Sequence, residues 1–336
     1  MPDVQELSLA ELQLWTVLKM KDHYGREIEY LRLSVTERCN LRCRYCMPEE
    51  GICKKRHEDM LTEEEMVLAA QVAASLGIRK IRITGGEPLV KKNILSLCQR
   101  ISGVEGIEEL CLTTNGLLLP QYAAELKQAG VKRINLSLDT LRPERYRHIT
   151  RCGEVHQALE GLEAALKVGF EKVKINSVLI GGFNDDEIGA LAALSVSYPV
   201  DVRFIELMPM QKSDEFGEKA FLPVDSVLQA LPQLEKLPFD GKDVLLYRLP
   251  RGQGNVGLIS PLSRHFCGKC DRLRLTADGH LKPCLHSSQE IPVKGMDAEG
   301  MRQQFIKAIL SKPACHGALS ATERSEAGRN MHQIGG

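Results

Sequence analysis

The sequence predicts an α/β chain whose main body is an incomplete (β/α)6 barrel of the TIM type, and three observations carry that prediction. Strand-like and helix-like runs alternate with a repeat of roughly 25 to 30 residues, the mark of parallel βα units. Counted from the first strand there are six such units. None of the strands is followed by the Gly-x-Gly-x-x-Gly fingerprint of a dinucleotide fold. Chemistry is therefore expected at the carboxyl ends of the strands.

Taken in order, Leu9, Leu12, Trp15 and Leu18 stand at helical spacing within Leu7 to Met20, an amphipathic helix expected to pack on the body. A turn over Asp22 to Gly25 leads into the first strand, Tyr30 to Thr36. Thr62-Glu63-Glu64-Glu65 is a capping box opening a helix to Leu76, because Thr and Glu satisfy each other's free amides. Strand Lys80 to Thr84 is followed by Gly85-Gly86-Glu87-Pro88 and a helix near Asn93 to Ile101. Strand Glu109 to Thr113 leads to Asn115-Gly116 and a helix ending near Gly130. Strand Arg133 to Leu138 leads to Asp139 and helices across Pro143 to Val168. Strand Lys172 to Ile180, a Gly181-Gly182 turn and a helix from Asp185 to Ser195 precede the sixth strand, Val202 to Met208. The repeat then stops. A helix around Pro223 to Leu231 and strand-like runs Val244 to Leu249 and Val256 to Ile259 follow. The chain thus divides into a helical extension (1–20), a barrel (21–215) and a C-terminal region (216–336).

Composition narrows the function. Lys plus Arg and Asp plus Glu both total 44, so no global field argues for DNA, RNA or an anionic membrane. No apolar run approaches the roughly 20 residues of a membrane-spanning helix, and Asp3, Glu6 and Glu11 make the amino terminus unlike a leader peptide. A cytoplasmic protein is expected. The 11 cysteines fall largely into two trios rather than into pairs, which favours metal over disulfides. Cys53, Cys98, Cys111, Cys152 and Cys315 are scattered and carry no assigned chemistry, free cysteine commonly serving as a small buried apolar residue.

The first trio, Cys39-x3-Cys43-x2-Cys46, directly follows the first strand. Thiolate sulfur suits zinc or iron-sulfur clusters, and a structural zinc site needs a fourth protein ligand. None is adjacent, so either one metal position stays open or a remote His such as His57 closes a zinc knuckle. The second trio is Cys267-x2-Cys270-x13-Cys284, with Asp278-Gly279 as the hairpin turn that brings Cys284 back. Here His280 or His286 could complete a three-Cys, one-His zinc site. Arg272 and Arg274, two apart on a strand, face the same way and suit phosphate oxygens. Lys80 and Arg82 share a parity on the second strand, and Arg32, Lys174 and Arg203 add charge to inner faces that are normally apolar. Buried unpaired cations are costly, so together they call for a phosphate-rich ligand.

The three-cysteine loop resembles the cluster motif of the radical S-adenosylmethionine (SAM) superfamily. Further blocks carry a closer resemblance: Ser34-Val35-Thr36-Glu37-Arg38-Cys39, Thr84-Gly85-Gly86-Glu87-Pro88-Leu89, Thr113-Thr114-Asn115-Gly116, Ser137-Leu138-Asp139, Arg203-Phe204-Ile205-Glu206 and Cys267-x2-Cys270-Asp271-Arg272-Leu273-Arg274. From about residue 20 onward the chain resembles the GTP 3',8-cyclase family of molybdenum cofactor biosynthesis.

That resemblance implies a partial barrel with a C-terminal extension carrying a second cluster. It implies two [4Fe-4S] clusters, on Cys39, Cys43 and Cys46 and on Cys267, Cys270 and Cys284, with SAM chelating the open iron of the first. Reductive cleavage of SAM would give a 5'-deoxyadenosyl radical that removes the C3' hydrogen of GTP, after which C3' adds to C8 and a further electron completes the product. Tyr45, Gly86, Ser137 and Met208 are implied SAM contacts. Thr113 is an implied GTP contact, and Arg32, Lys80, Arg82, Lys174, Arg203, Arg272 and Arg274 are candidates for the triphosphate and ribose. The terminal Gly335-Gly336 is implied to reach into the barrel and to be needed for catalysis. Implied partners are a low-potential electron donor such as a flavodoxin or ferredoxin, a downstream cyclic pyranopterin monophosphate synthase and a possible homodimer. The competing readings are a peptide-modifying radical SAM enzyme with auxiliary clusters and a non-catalytic zinc protein.

Overall fold

A computed structural model describes residues 20–52, 55–210, 216, 220–238, 244–317, 319 and 324–335. The helix expected before Met20, Cys53 and Gly336 lie outside them. Six parallel strands form the body: β1 Tyr30–Ser34, β2 Lys80–Thr84, β3 Glu109–Thr114, β4 Val131–Ser137, β5 Lys172–Leu179 and β6 Val200–Glu206. Helices α1 Glu63–Ser75, α2 Ile94–Ser102, α3 Leu119–Gln128, α4 Pro143–Thr150, α5 Val155–Val168 and α6 Ile188–Ser197 connect them. The capping box that opens α1 is present, Thr62 N donating to Glu65 Oε2 at 2.8 Å and Glu65 N to Thr62 Oγ1 at 3.2 Å.

The C-terminal region does not stand apart from this sheet. It contributes α7 Asp225–Ala230, strands β7 Glu235–Lys236, β8 Leu245–Arg248, β9 Val256–Ile259, β10 Arg272–Leu275, β11 His280–Lys282 and β12 Ile291–Pro292, and helices α8 Ala298–Leu310 and α9 Met331–Ile334. Strand β9 pairs parallel with β6, and β10 pairs parallel with β1. The 12-stranded order is β12-β11-β10-β1-β2-β3-β4-β5-β6-β9-β8-β7 and the sheet is not closed. Its central eight strands are parallel, the six βα units being widened by one strand at each edge.

Period-two alternation separates two environments. Leu31, Leu33, Ile81, Ile83, Ile134, Leu136, Ile175 and Phe204 are fully buried beneath the helices. The alternate residues, Arg32, Arg82, Asn135, Lys174 and Arg203 among them, line a central cavity of about 1010 Å³. Helix α8 packs on α1 through Met301, Phe305, Ala308 and Ile309. Among the described residues no helix is long and apolar enough to cross a membrane.

Two local expectations need correction. Met208 does not end the sixth strand, which stops at Glu206. The buried Glu206 carboxylate accepts from Leu262 N and Ser263 N, each at 3.0 Å, and so ties the strand end to the C-terminal region. The helix expected from Asp185 opens as a 3-10 turn and becomes α-helical only at Ile188.

Candidate active site

Strand β1 runs into the first cysteine loop, and that loop is pinned on two sides. Arg42 N and Arg44 N donate to Thr150 O and Ile149 O at the end of α4, at 3.0 and 2.9 Å. Across the loop, Gly86 N donates to Thr36 O and Glu87 N to Arg38 O, both at 2.8 Å. A Cβ on Gly85 would lie 2.3 Å from Thr36 O, and one on Gly86 2.2 Å from Arg38 O. Only glycine permits this approach, and Gly85 also has φ +142. The turn after β2 is thereby laid directly on the cysteine loop.

Cys39, Cys43 and Cys46 face the cavity together. Burial pushes the Cys39 thiol up to about 11, the Cys46 thiol up to about 12 and the Cys43 thiol well above its ordinary value, each thiol adding repulsion to a neighbour. Such thiols give up their protons readily only to a metal. Beside them Tyr45 donates its hydroxyl to Asp139 Oδ2 at 2.7 Å, while Val178 N donates to Asp139 Oδ1 at 2.8 Å. Glu87 accepts from Thr114 Oγ1 and Asn115 N at 2.8 Å and from Leu89 N at 3.0 Å. Burial raises Asp139 to about 6 and Glu87 to about 7. Sequence reading assigned neither carboxylate a role, although both lie within the quoted motifs. Ser137, Gly86 and Met208 line the same mouth.

Below the mouth the cavity wall is a lattice of cations set by strand register. Arg274, Arg32 and Arg82 are neighbours across β10, β1 and β2, and in the row beneath lie Arg272, Tyr30 and Lys80. Asn176 and Arg203 pair across β5 and β6, as do Lys174 and Asp201. Arg82 Nη1 reaches Thr113 Oγ1 at 3.5 Å and its Nε donates to the Tyr30 hydroxyl. Burial, then Arg203, pulls Lys174 down to about 7, and burial with Arg32 and Arg272 lowers the Arg274 guanidinium well below its ordinary value. All seven cations expected to hold a phosphate-rich ligand line this one cavity. Lys80 and Arg272 differ from the expectation in having internal counter-ions: Lys80 pairs with Glu109, which also pairs with Arg133 at 2.9 Å, and Arg272 Nε lies 3.7 Å from Asp271 Oδ1.

The second trio sits at the other end of β1. Cys267 and Cys270 precede β10, and Cys284 follows the returning strand β11, so all three lie near the amino-terminal end of the parallel strands. Buried Lys312 ties the two segments together, donating to Arg272 O at 2.7 Å and Pro283 O at 2.8 Å. Burial pushes the Cys270 thiol up, but Lys312 and Arg272 bring it below its ordinary value. His280 faces Asp278 at 3.3 Å, whereas His286 lines the cavity with Nδ1 3.0 Å from Ser325 Oγ. His57 is exposed on a 3-10 turn. Among the described residues no three His, Cys, Asp or Glu gather closely enough to hold a single metal ion. Of the scattered cysteines, Cys98 and Cys111 are buried, whereas Cys152 and Cys315 are exposed.

The C-terminal tail closes over the mouth. Arg329 pairs with Asp278 at 2.8 Å and with Glu290 at 2.6 Å, and His332 Nδ1 donates to Cys46 O at 2.9 Å. Gly335 has φ +81, its carbonyl accepts from Arg274 Nη1, and a Cβ there would come 2.4 Å from Thr84 Cγ2.

The cavity fits the groups that the sequence motifs imply. Its soft thiol sets stand at both ends, and Arg32 Nε, Asn135 Oδ1 and Asn176 Oδ1 are buried with no hydrogen-bond partner among the described residues. Such atoms are costly unless a polar ligand satisfies them.

Comparison with known proteins agrees with this geometry. Residues 33–194 match the Radical SAM superfamily and residues 200–317 match Molybdenum Cofactor Synthesis C. A GTP 3',8-cyclase of Alkaliphilus oremlandii (strain OhILAs) is 48% identical over 323 residues, covering 94% of this chain and 100% of the relative. One from Peptoclostridium acidaminophilum is 50% identical over 320 residues, covering 94% and 98%. Among solved structures, Streptococcus suis SuiB bound to S-adenosylmethionine aligns with a TM-score of 0.61 at 15% identity, covering 94% of this chain and 72% of that one. Methylornithine synthase (PylB) aligns at 0.51 with 16% identity, covering 96% and 90%. These two share the fold. The identity to the curated relatives, spread over nearly the whole of both chains, places this protein in the GTP 3',8-cyclase family of the radical SAM superfamily.

Proposed function

We propose that this chain converts GTP to (8S)-3',8-cyclo-7,8-dihydroguanosine 5'-triphosphate, the first step of molybdenum cofactor biosynthesis. One observation carries the reading: two three-thiol sets open onto opposite ends of a single cavity whose wall between them is cationic. At about 1010 Å³ the cavity is at the upper end of the range for ligand sites, roughly 300 to 1,000 Å³, as two ligands require.

Cys39, Cys43 and Cys46 would hold a [4Fe-4S] cluster, and Cys267, Cys270 and Cys284 a second. When bound, the first cluster and SAM supply reductive cleavage of a carbon-sulfur bond and so a carbon radical, chemistry that side chains lack.

The chain's own residues bind, orient and shield. The backbone at Gly85 and Gly86, with Ser137, Tyr45 and Met208, forms the SAM side of the mouth, and Asp139 fixes the Tyr45 ring through its hydroxyl. Arg32, Lys80, Arg82, Lys174, Arg203, Arg272 and Arg274 hold the triphosphate and ribose, and Thr113 positions the nucleotide between them and the mouth. With Arg274 shared between phosphate and the Gly335 carbonyl, the tail senses the filled site and excludes water from the radical. Reducing equivalents come from a low-potential donor such as a flavodoxin or ferredoxin, and the product passes to a cyclic pyranopterin monophosphate synthase.

Anaerobic turnover with GTP deuterated at C3' tests this. Deuterium is expected in 5'-deoxyadenosine together with formation of the cyclised nucleotide. Deoxyadenosine that carries no label in the presence of bound GTP would contradict the reading.

A further inference from the structure

Tyr30 opens β1 at the floor of the cavity and is 6% exposed. Four cations surround its ring: Lys80 Nζ lies 5.2 Å from the ring centre, Arg32 Cζ 5.7 Å, and Arg82 and Arg272 Cζ 5.8 Å each. Register explains the convergence. Tyr30 is level with Arg272 on one side and Lys80 on the other, and Arg32 and Arg82 stand two residues further along on the same face. The Tyr30 hydroxyl also accepts from Arg82 Nε.

Four cations this close repel one another, and with no ligand anion bound each gains by turning away from the others. An aromatic face attracts cations through its quadrupole while carrying no net charge. It can therefore gather the four side chains without cancelling the positive field that an anionic ligand needs. Lys80 and Arg272 show the alternative: their pairing with Glu109 and, at 3.7 Å, with Asp271 spends part of their charge inside the protein.

We propose that Tyr30 is a positioning residue that preorganises Arg32, Lys80, Arg82 and Arg272 as a triphosphate clamp. This rests on the GTP reading above. The ring makes its contribution before the nucleotide arrives, so its loss appears as weaker binding of phosphates rather than as loss of SAM or iron.

The test compares GTP, GDP and GMP affinities of the anaerobic holoprotein with those of Tyr30→Phe and Tyr30→Leu. In the unaltered chain affinity is expected to rise with each phosphate. Tyr30→Leu is expected to lose roughly tenfold or more for GTP and little for GMP, so that the ratio of the two falls. Tyr30→Phe keeps the ring and is expected to hold that ratio within about threefold. SAM affinity and iron content stay unchanged in both. Should Tyr30→Leu fail to fold, Tyr30→Met removes the ring while retaining bulk. An unchanged ratio in the ring-less variant, or equal loss of all three nucleotides, would overturn the proposal while leaving the cyclase reading intact. An unaltered chain that binds no triphosphate would overturn both.

Discussion

The two ends of the cavity hold the same number of cysteines in opposite surroundings. At the mouth, Cys39, Cys43 and Cys46 are raised by burial and face backbone, hydroxyls and the paired Tyr45 and Asp139. At the floor, burial raises Cys267 as it does the mouth thiols, but Cys270 is drawn below its ordinary value by Lys312 and Arg272, and the adjoining wall carries Arg32, Arg82 and Arg274. Backbone, hydroxyls and the Asp139 and Glu87 carboxylates at one end suit a zwitterion with a cationic centre such as SAM, and dense positive charge at the other suits a polyphosphate. In the proposed reading, nearly equal ligand sets take separate tasks from the residues around them.

The largest expected effect breaks one end only. Cys43→Ala is expected to reduce 5'-deoxyadenosine formation to background while about four of about eight irons remain. Deoxyadenosine at the unaltered rate would mean that the first trio does not cleave SAM. Next comes the tail. Gly335→Val forces a side chain into the space of Thr84, and product formation is expected to fall by roughly two orders of magnitude with iron content unchanged. Equal turnover would show that the tail lies outside the working site.

Arg274→Ala removes one buried cation of the cavity wall. GTP binding is expected to weaken by about 2 kcal/mol, roughly 30-fold, with SAM affinity unchanged. Loss of SAM affinity to the same degree would erase the distinction between the ends.

The smallest effect concerns pH. Burial and Arg203 hold Lys174 down at about 7, and a bound phosphate raises it again. Below pH 7 the amine is already protonated and binding takes up no proton through it. As pH rises through 7, binding must recruit that proton, so GTP affinity is expected to fall by at most about tenfold per pH unit. Calorimetry at pH 8 in two buffers of different ionisation heat should show proton uptake that Lys174→Met reduces; equal uptake by both chains would remove Lys174 from the linkage.

Much of this is legible in the sequence. Alternation and turn residues locate β1 to β6 and the cysteine trios, because these signals are local. Period-two parity placed Lys80 with Arg82 and Arg272 with Arg274 on common faces for the same reason. Long-range pairing carries no such signal: nothing in Val256 to Ile259 announces that it extends the sheet beside β6, or in Arg272 to Leu275 that it flanks β1. Helix α8 was missed although Met301, Phe305, Ala308 and Ile309 recur at helical spacing behind Asp297, whose side chain accepts from Gly300 N at 2.8 Å. Glu109 as the partner of Lys80, and Tyr30 as the centre of the cation cluster, arise only where neighbouring strands meet in register.

The proposed chemistry needs two metal centres that share one cavity with a nucleotide between them. Anomalous diffraction at the iron edge, on anaerobic crystals grown with GTP and SAM, tests it most directly. Two iron clusters are expected, separated by about the length of β1, roughly 15 Å at the usual rise per residue, with phosphate density against Arg32, Arg82 and Arg274. Iron at one trio alone, or a nucleotide bound outside the space between the two, would contradict it.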